Sequence, residues 1–186
     1  MKVINFFGAP GVGKTRSTML LTSYLKESQV DAEASLEFVK EYIHSNTNQL
    51  LSYQNYIFSQ QERQLRILLD SKEVEFATTD APLLHSVFYA PEDYPVFFKE
   101  LVFEIYNSYS NINYFINRKH TYSHQGRIHD EISSNLIARK LKAFLINHSI
   151  PFIEIDSTDD IKSTLVQEVL QNHRDLDYQT HKRTRG

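Results

Sequence analysis

The stretch "GAPGVGKT", residues 8–15, follows the apolar run "VINFF" without a spacer. Three of the chain's five glycines fall between positions 8 and 13; the others are Gly126 and Gly186. Glycine accepts left-handed backbone and lets another group approach the main chain closely. A ligand is therefore expected to meet backbone here and near Gly126. The stretch fits G-x-x-x-x-G-K-[ST], with Gly8, Gly13, Lys14 and Thr15 at the fixed positions. In this motif a strand ends and the backbone turns around an anion with its N–H groups inward. A helix then begins with its positive dipole end at the same anion. Lys14 is expected to reach the β- and γ-phosphates, and the Thr15 hydroxyl to ligate Mg2+. The whole run Gly8, Ala9, Pro10, Gly11, Val12, Gly13, Lys14, Thr15 and Arg16 is the expected nucleotide contact.

Hydrophobic patterning places this loop in an alternating chain. Strands are expected at "KVINFF", "DAEASLEFV", "EVEFATTD", "INYFIN" and "IPFIEID". Helices are expected between them, at "KTRSTMLLTSYLKES", "QLLSYQNYIFSQQERQLRILLDS", "PLLHSVFYA", "DYPVFFKELVFEIYNSY" and "ISSNLIARKLKAFLINHS", with a last one at "DIKSTLVQEVLQNH". Strand–helix alternation from end to end predicts a parallel sheet covered on both faces, an α/β doubly wound fold. No internal repeat, low-complexity tract or linker interrupts it. The 186 residues read as one domain.

Several side chains have the types that phosphoryl transfer needs. Asp80 ends the third expected strand, on the rim where α/β sheets place ligands, and is a candidate for the metal or acceptor site. It could also cap the helix that begins near Pro82. Glu37 and Glu41 flank Lys40 after the second strand; a carboxylate there could take the proton of an attacking hydroxyl. Glu37 is the stronger candidate. In "NRKHTYSHQGRIHDE", Arg118, Lys119 and Arg127 surround Gly126 between a strand and a helix. Such a segment, about 118–131, reads as a lid whose arginines neutralise the transferring group and exclude water. His120, His124 and His129 are too irregularly spaced for a metal set. On "YQNYIFSQQERQ", beside Tyr53, the residues Gln54, Phe58 and Gln61 could bind a planar acceptor; as an ordinary amphipathic helix, the same residues would be core.

Composition removes other classes. The chain has no cysteine, which excludes disulfides, thiol catalysis and cysteine-ligated metals and agrees with a cytoplasmic setting. No apolar run is long enough for a membrane helix, so no membrane partner is expected. The net charge of −3 argues against a dedicated duplex binder, although the tail "THKRTRG" (about 179–186) is basic.

Taken in order, the motifs Glu37-Lys40-Glu41-Tyr42, Thr79-Asp80-Pro82-Leu83-Leu84, Asn111-Asn113-Tyr114-Phe115-Ile116-Arg118 and Tyr122-Gly126-Arg127-Glu131 follow the phosphate loop. In this combination the chain resembles the kinase-like P-loop proteins grouped with the ribosylnicotinamide kinase domain of NadR, above all their short bacteriophage-encoded members. The resemblance covers nearly the whole chain. It implies a P-loop NTPase of nucleoside-kinase-like, three-layer architecture with a parallel five-stranded sheet and a lid. It implies ATP and Mg2+, and transfer to a nucleoside-like or nucleotide-like small acceptor in the cytoplasm, the host's if the protein is phage-encoded. It implies Asp80 and Glu37 near metal and acceptor, and Arg118 and Arg127 as lid residues. Related deoxynucleoside kinases carry an arginine after the third-strand acid, where this chain has Ala81 and Pro82, so acceptor contacts do not transfer from them. Two other readings stay open: a kinase for hydroxymethylated pyrimidines within DNA, and a nucleotide-dependent switch or ATPase without a small acceptor. Oligomeric state is not legible.

Overall fold

The computed structural model describes residues 1–37, 52–119, 131–157 and 161–171. Five strands form one sheet: β1 (Lys2–Phe7), β2 (Ala32–Ser35), β3 (Phe76–Thr79), β4 (Ser110–Asn117) and β5 (Ile153–Asp156). Their order is β2-β3-β1-β4-β5, and every neighbouring pair is parallel. This is the α/β, P-loop NTPase architecture that the alternation and the resemblance implied. The connecting helices are α1 (Lys14–Glu27), α2 (Gln54–Ser71), α3 (His85–Tyr89), α4 (Val96–Ser108) and α5 (Glu131–Asn147). A last helical segment, α6, spans 161–171 and widens to π geometry over Lys162–Val166.

The sheet is buried on both faces because its side chains alternate. In β1, Ile4 and Phe6 point to one core, with Leu21 and Leu25 of α1 and Ile161, Leu165 and Val169 of α6. Val3 and Phe7 point to the other, with residues of α2 to α5 such as Phe58, Leu84, Val102 and Leu141. Asn5 shares that second face. Its Nδ2 donates to Asn111 Oδ1 at 2.9 Å and Asn113 Oδ1 at 3.0 Å, and Tyr106 Oη donates to Asn113 Oδ1 at 2.9 Å, so the buried amides are paired.

Three boundaries differ from expectation. β2 covers Ala32–Ser35 rather than 31–39, because it is an edge strand whose only ladder, to β3, ends at Ser35 opposite Thr79. β3 is likewise shorter than 73–80. α2 begins at Gln54, not at residue 49, with Ser52 and Tyr53 outside it. The threonines that make β3 unusually polar also have a structural use. The Thr78 hydroxyl meets that of Thr22, and Thr79 Oγ1 accepts from the Ala81 N–H at 3.1 Å.

β1 leads through α1 to one side of the sheet, and β4 leads through α5 to the other. The carboxyl ends of β1 and β4 therefore border the crevice where open α/β sheets bind ligands.

Candidate functional site

The phosphate loop closes that crevice. Gly8, Gly11 and Gly13 have φ of 145°, 80° and 98°, values that side-chain-bearing residues rarely adopt. A Cβ on Gly8 would also stand 2.9 Å from Val12 Cγ2 and 3.0 Å from the Ile116 carbonyl oxygen, so the loop packs directly on β4. Gly13 caps α1 with no side-chain hydrogen bond, and the first turn holds no acidic residue. No acidic side chain within that first turn offsets the positive end of α1, which suits anion binding. Lys14 Nζ spans the loop, donating to the carbonyls of Gly8 at 3.0 Å and Ala9 at 3.1 Å. Arg16 is exposed, at the edge of the loop.

Asp80 joins this loop to the second strand. Its carboxylate is only 1% exposed. Oδ2 accepts from Thr15 Oγ1, and Oδ1 accepts from the Glu37 backbone N–H at 2.7 Å. No side chain caps α3, so the alternative role for Asp80 as that helix's cap is not the one adopted. A carboxylate and a hydroxyl in contact form a hard oxygen donor pair. That chemistry suits Mg2+, which keeps several waters and takes one or two protein oxygens; Thr15 and Asp80 are the residues that would hold it. Among the described residues no group of three or more His, Asp or Glu could hold a metal alone.

Arg118 follows β4 and turns toward the loop. Its guanidinium donates to the Pro10 carbonyl at 2.9 Å, to Ser134 Oγ and to Asn135 Oδ1 at 3.3 Å. Ser134, fully buried, donates to the same Pro10 carbonyl at 2.9 Å. The outer edge of the phosphate loop is thereby fastened to the start of α5. Lys119 lies beyond, 3.6 Å from the Asp156 carboxylate.

On the other side of Asp80, Gln54, Phe58, Gln61 and Leu65 make up the buried stripe of α2. Phe58 meets Phe98 edge-on at 5.9 Å. Gln61 is 3% exposed, and neither its Oε1 nor its Nε2 has a hydrogen-bond partner. β2 is tied to the same helix by Ser35 Oγ donating to Gln64 Oε1 at 2.8 Å. Partial burial of Tyr89, together with the Glu37 charge, pushes its pKa up to about 12. His85, which no motif singles out, also faces this region. Burial and the Lys14 charge push its imidazole pKa down to about 3.

The structure thus brings together Lys14, Thr15, Asp80 and Glu37 on one rim, with Arg118 bonded to the Pro10 carbonyl of the loop, while Gln54, Phe58 and Gln61 form the buried stripe of α2. Glu41, Arg127, Gly126, the three histidines of the lid segment and the basic tail lie outside the described residues. Among the described residues no helix is long and apolar enough to cross a membrane.

The fold is shared with solved enzymes. Thymidylate kinase from Ehrlichia chaffeensis aligns over 91% of this chain and 97% of its own, at 14% identity and a TM-score of 0.58. Deoxyadenosine kinase from M. mycoides with bound dATP aligns over 92% and 99%, at 14% identity and a TM-score of 0.52. The same enzyme with the products dCMP and dCDP aligns over 93% and 99%, at 15% identity and a TM-score of 0.54. At such identities the likeness is one of fold. No curated protein matches the chain in sequence. The family model AAA_28, an AAA domain, matches residues 3–161, from the first strand through the phosphate loop and Asp80 to the start of α6, and the chain belongs to that family.

Proposed function

We propose that the protein is an ATP- and Mg2+-dependent kinase that moves the γ-phosphate to a hydroxyl of a nucleoside-like or nucleotide-like small acceptor. The observation that carries this reading is the double bonding of Asp80. One carboxylate links the phosphate-loop threonine to the residue best placed to act as base, Glu37. That bond is made by the Glu37 backbone N–H and sets the residue beside the phosphate loop. Nucleotide and nucleoside kinases of the same fold support the reaction class.

In this reading Lys14 exchanges the Gly8 and Ala9 carbonyls for phosphate oxygens, and the N–H groups of residues 8–16 surround the phosphates. Thr15 and Asp80 would hold Mg2+, which would supply positive charge to offset that of the donor phosphates. The acceptor hydroxyl oxygen bonds to the γ-phosphorus as the bond from that phosphorus to the β,γ-bridging oxygen breaks. The hydroxyl proton passes to Glu37, and ADP leaves. Arg118 braces the loop, and Arg127 adds positive charge over the transferring group. Gln54, Phe58, Gln61 and Glu41 hold the acceptor, with positioning rather than covalent chemistry supplying the rate.

The test is Lys14→Ala with γ-labelled ATP. Loss of the one fixed cation of the loop is expected to lower kcat/KM by a few hundredfold or more, about 3–4 kcal/mol of transition-state stabilisation, with circular dichroism unchanged. Near wild-type turnover in a folded variant would remove this loop as the catalytic phosphate site.

A further inference from the structure

His85 is the first residue of α3, five positions after Asp80 in the sequence. Its ring meets Phe7 edge-on, with centroids 5.5 Å apart, and Tyr89 at 5.8 Å. Phe7 ends β1 immediately before the phosphate loop. Tyr89 is near enough to Glu37 to respond to its charge. The imidazole therefore stands between the donor loop and the proposed base.

The Nε2 atom of this ring is closed off from solvent and has no hydrogen-bond partner. A polar nitrogen in that condition loses the hydrogen bonds it had in water, and a plain aromatic ring would fill the place with less penalty. Burial and Lys14 keep the ring uncharged. A neutral imidazole carries one donor and one acceptor nitrogen, which suits an uncharged polar group better than a phosphate. Gln61, on the helix that packs against α3, is in the same state. Two polar side chains with buried, unpartnered atoms thus lie on adjoining helices. The Tyr89 ring that packs on His85 is itself 42% exposed, so this contact lies at the protein surface.

We infer that His85 is an acceptor-contacting, specificity-determining residue, whose Nε2 gains its hydrogen bond when an acceptor bearing a neutral hydroxyl or ring amide enters beside Tyr89. This rests on the kinase reading above. A purely space-filling role makes the opposite forecast, because phenylalanine would serve it equally well.

The experiment compares the full chain with His85→Phe, which keeps the edge-to-face packing, and with His85→Gln, which keeps a hydrogen-bonding group. Deoxyadenosine, thymidine and thymidine 5′-monophosphate are the acceptor probes, with labelled ATP as donor and melting temperature as the second readout. His85→Phe is expected to melt no lower than wild type and to keep its stabilisation by a non-hydrolysable ATP analogue. Its acceptor KM should rise about tenfold with KM for ATP unchanged, and His85→Gln should recover part of the loss. An unchanged acceptor KM in His85→Phe would overturn the inference alone. So would a lowered melting temperature with both KM values rising together. If wild type binds the ATP analogue but phosphorylates none of the probes, the kinase reading falls and this inference falls with it.

Discussion

The two halves of the crevice are built differently. On the donor side every group named has a partner in this chain. Lys14 bonds two loop carbonyls, Thr15 bonds Asp80, Asp80 bonds the Glu37 N–H, and Pro10 is held by Arg118 and Ser134. On the side proposed for the acceptor, the side-chain atoms of Gln61 and the Nε2 of His85 are buried with none. A self-satisfied loop keeps its shape without a ligand and gives the phosphates a preformed cradle. Polar atoms buried without a partner in the chain are a standing loss of stability that a bound hydrogen-bonding group would relieve.

Gln61→Leu is the sharper way to break this comparison. Removing an amide with both ends unpaired should raise stability by about 1–2 kcal/mol, seen as a later denaturation midpoint. The same change should lower acceptor kcat/KM by tenfold or more and leave ATP binding intact. A variant that is less stable, with acceptor kinetics unchanged, would mean that Gln61 is merely a tolerated core residue.

A smaller effect concerns pH. The His85 imidazole titrates near 6.5 when unfolded but only near 3 when folded. Below pH 6.5 the unfolded chain therefore binds a proton that the folded chain refuses. The stabilisation is complete above that pH and is lost as pH falls toward 3. The ring is partly exposed, so the slope should stay under about 1 kcal/mol per pH unit. Denaturation of His85→Phe between about pH 6 and pH 4.5 should show a flatter pH dependence than wild type. Parallel curves would mean that the folded imidazole takes up its proton normally.

How far the sequence foretold these features depends on what kind of geometry each one needs. The phosphate loop was readable because its function is backbone geometry, and glycine spacing encodes backbone geometry directly. Asp80 stood out as an acid at the carboxyl end of the third strand, and the structure sets it against Thr15 and the Glu37 N–H. The end of β2 was not, because the chain stays apolar at Leu36 while the ladder stops with its partner strand. Arg118 was placed correctly after β4, but its grip on Pro10 and Ser134 depends on three segments far apart in the chain. His85 gave no signal at all. In "PLLHSVFYA" it looks like one polar residue in an apolar helix, and only the approach of Phe7 and Lys14 makes it notable. The sequence left Gln54, Phe58 and Gln61 open between acceptor contact and ordinary core; the structure buries them along one stripe of α2, and the unsatisfied state of Gln61 is a property of packing.

The central claim, that this crevice passes phosphate to a small acceptor, is tested most directly by following label from γ-labelled ATP into product. Nucleosides, nucleotides, nicotinamide riboside, and DNA containing hydroxymethylated pyrimidines would be offered in parallel with Mg2+. The account predicts labelled product from a free nucleoside or nucleotide, abolished by Lys14→Ala. Label appearing only in DNA, or only as inorganic phosphate whatever acceptor is present, would contradict it.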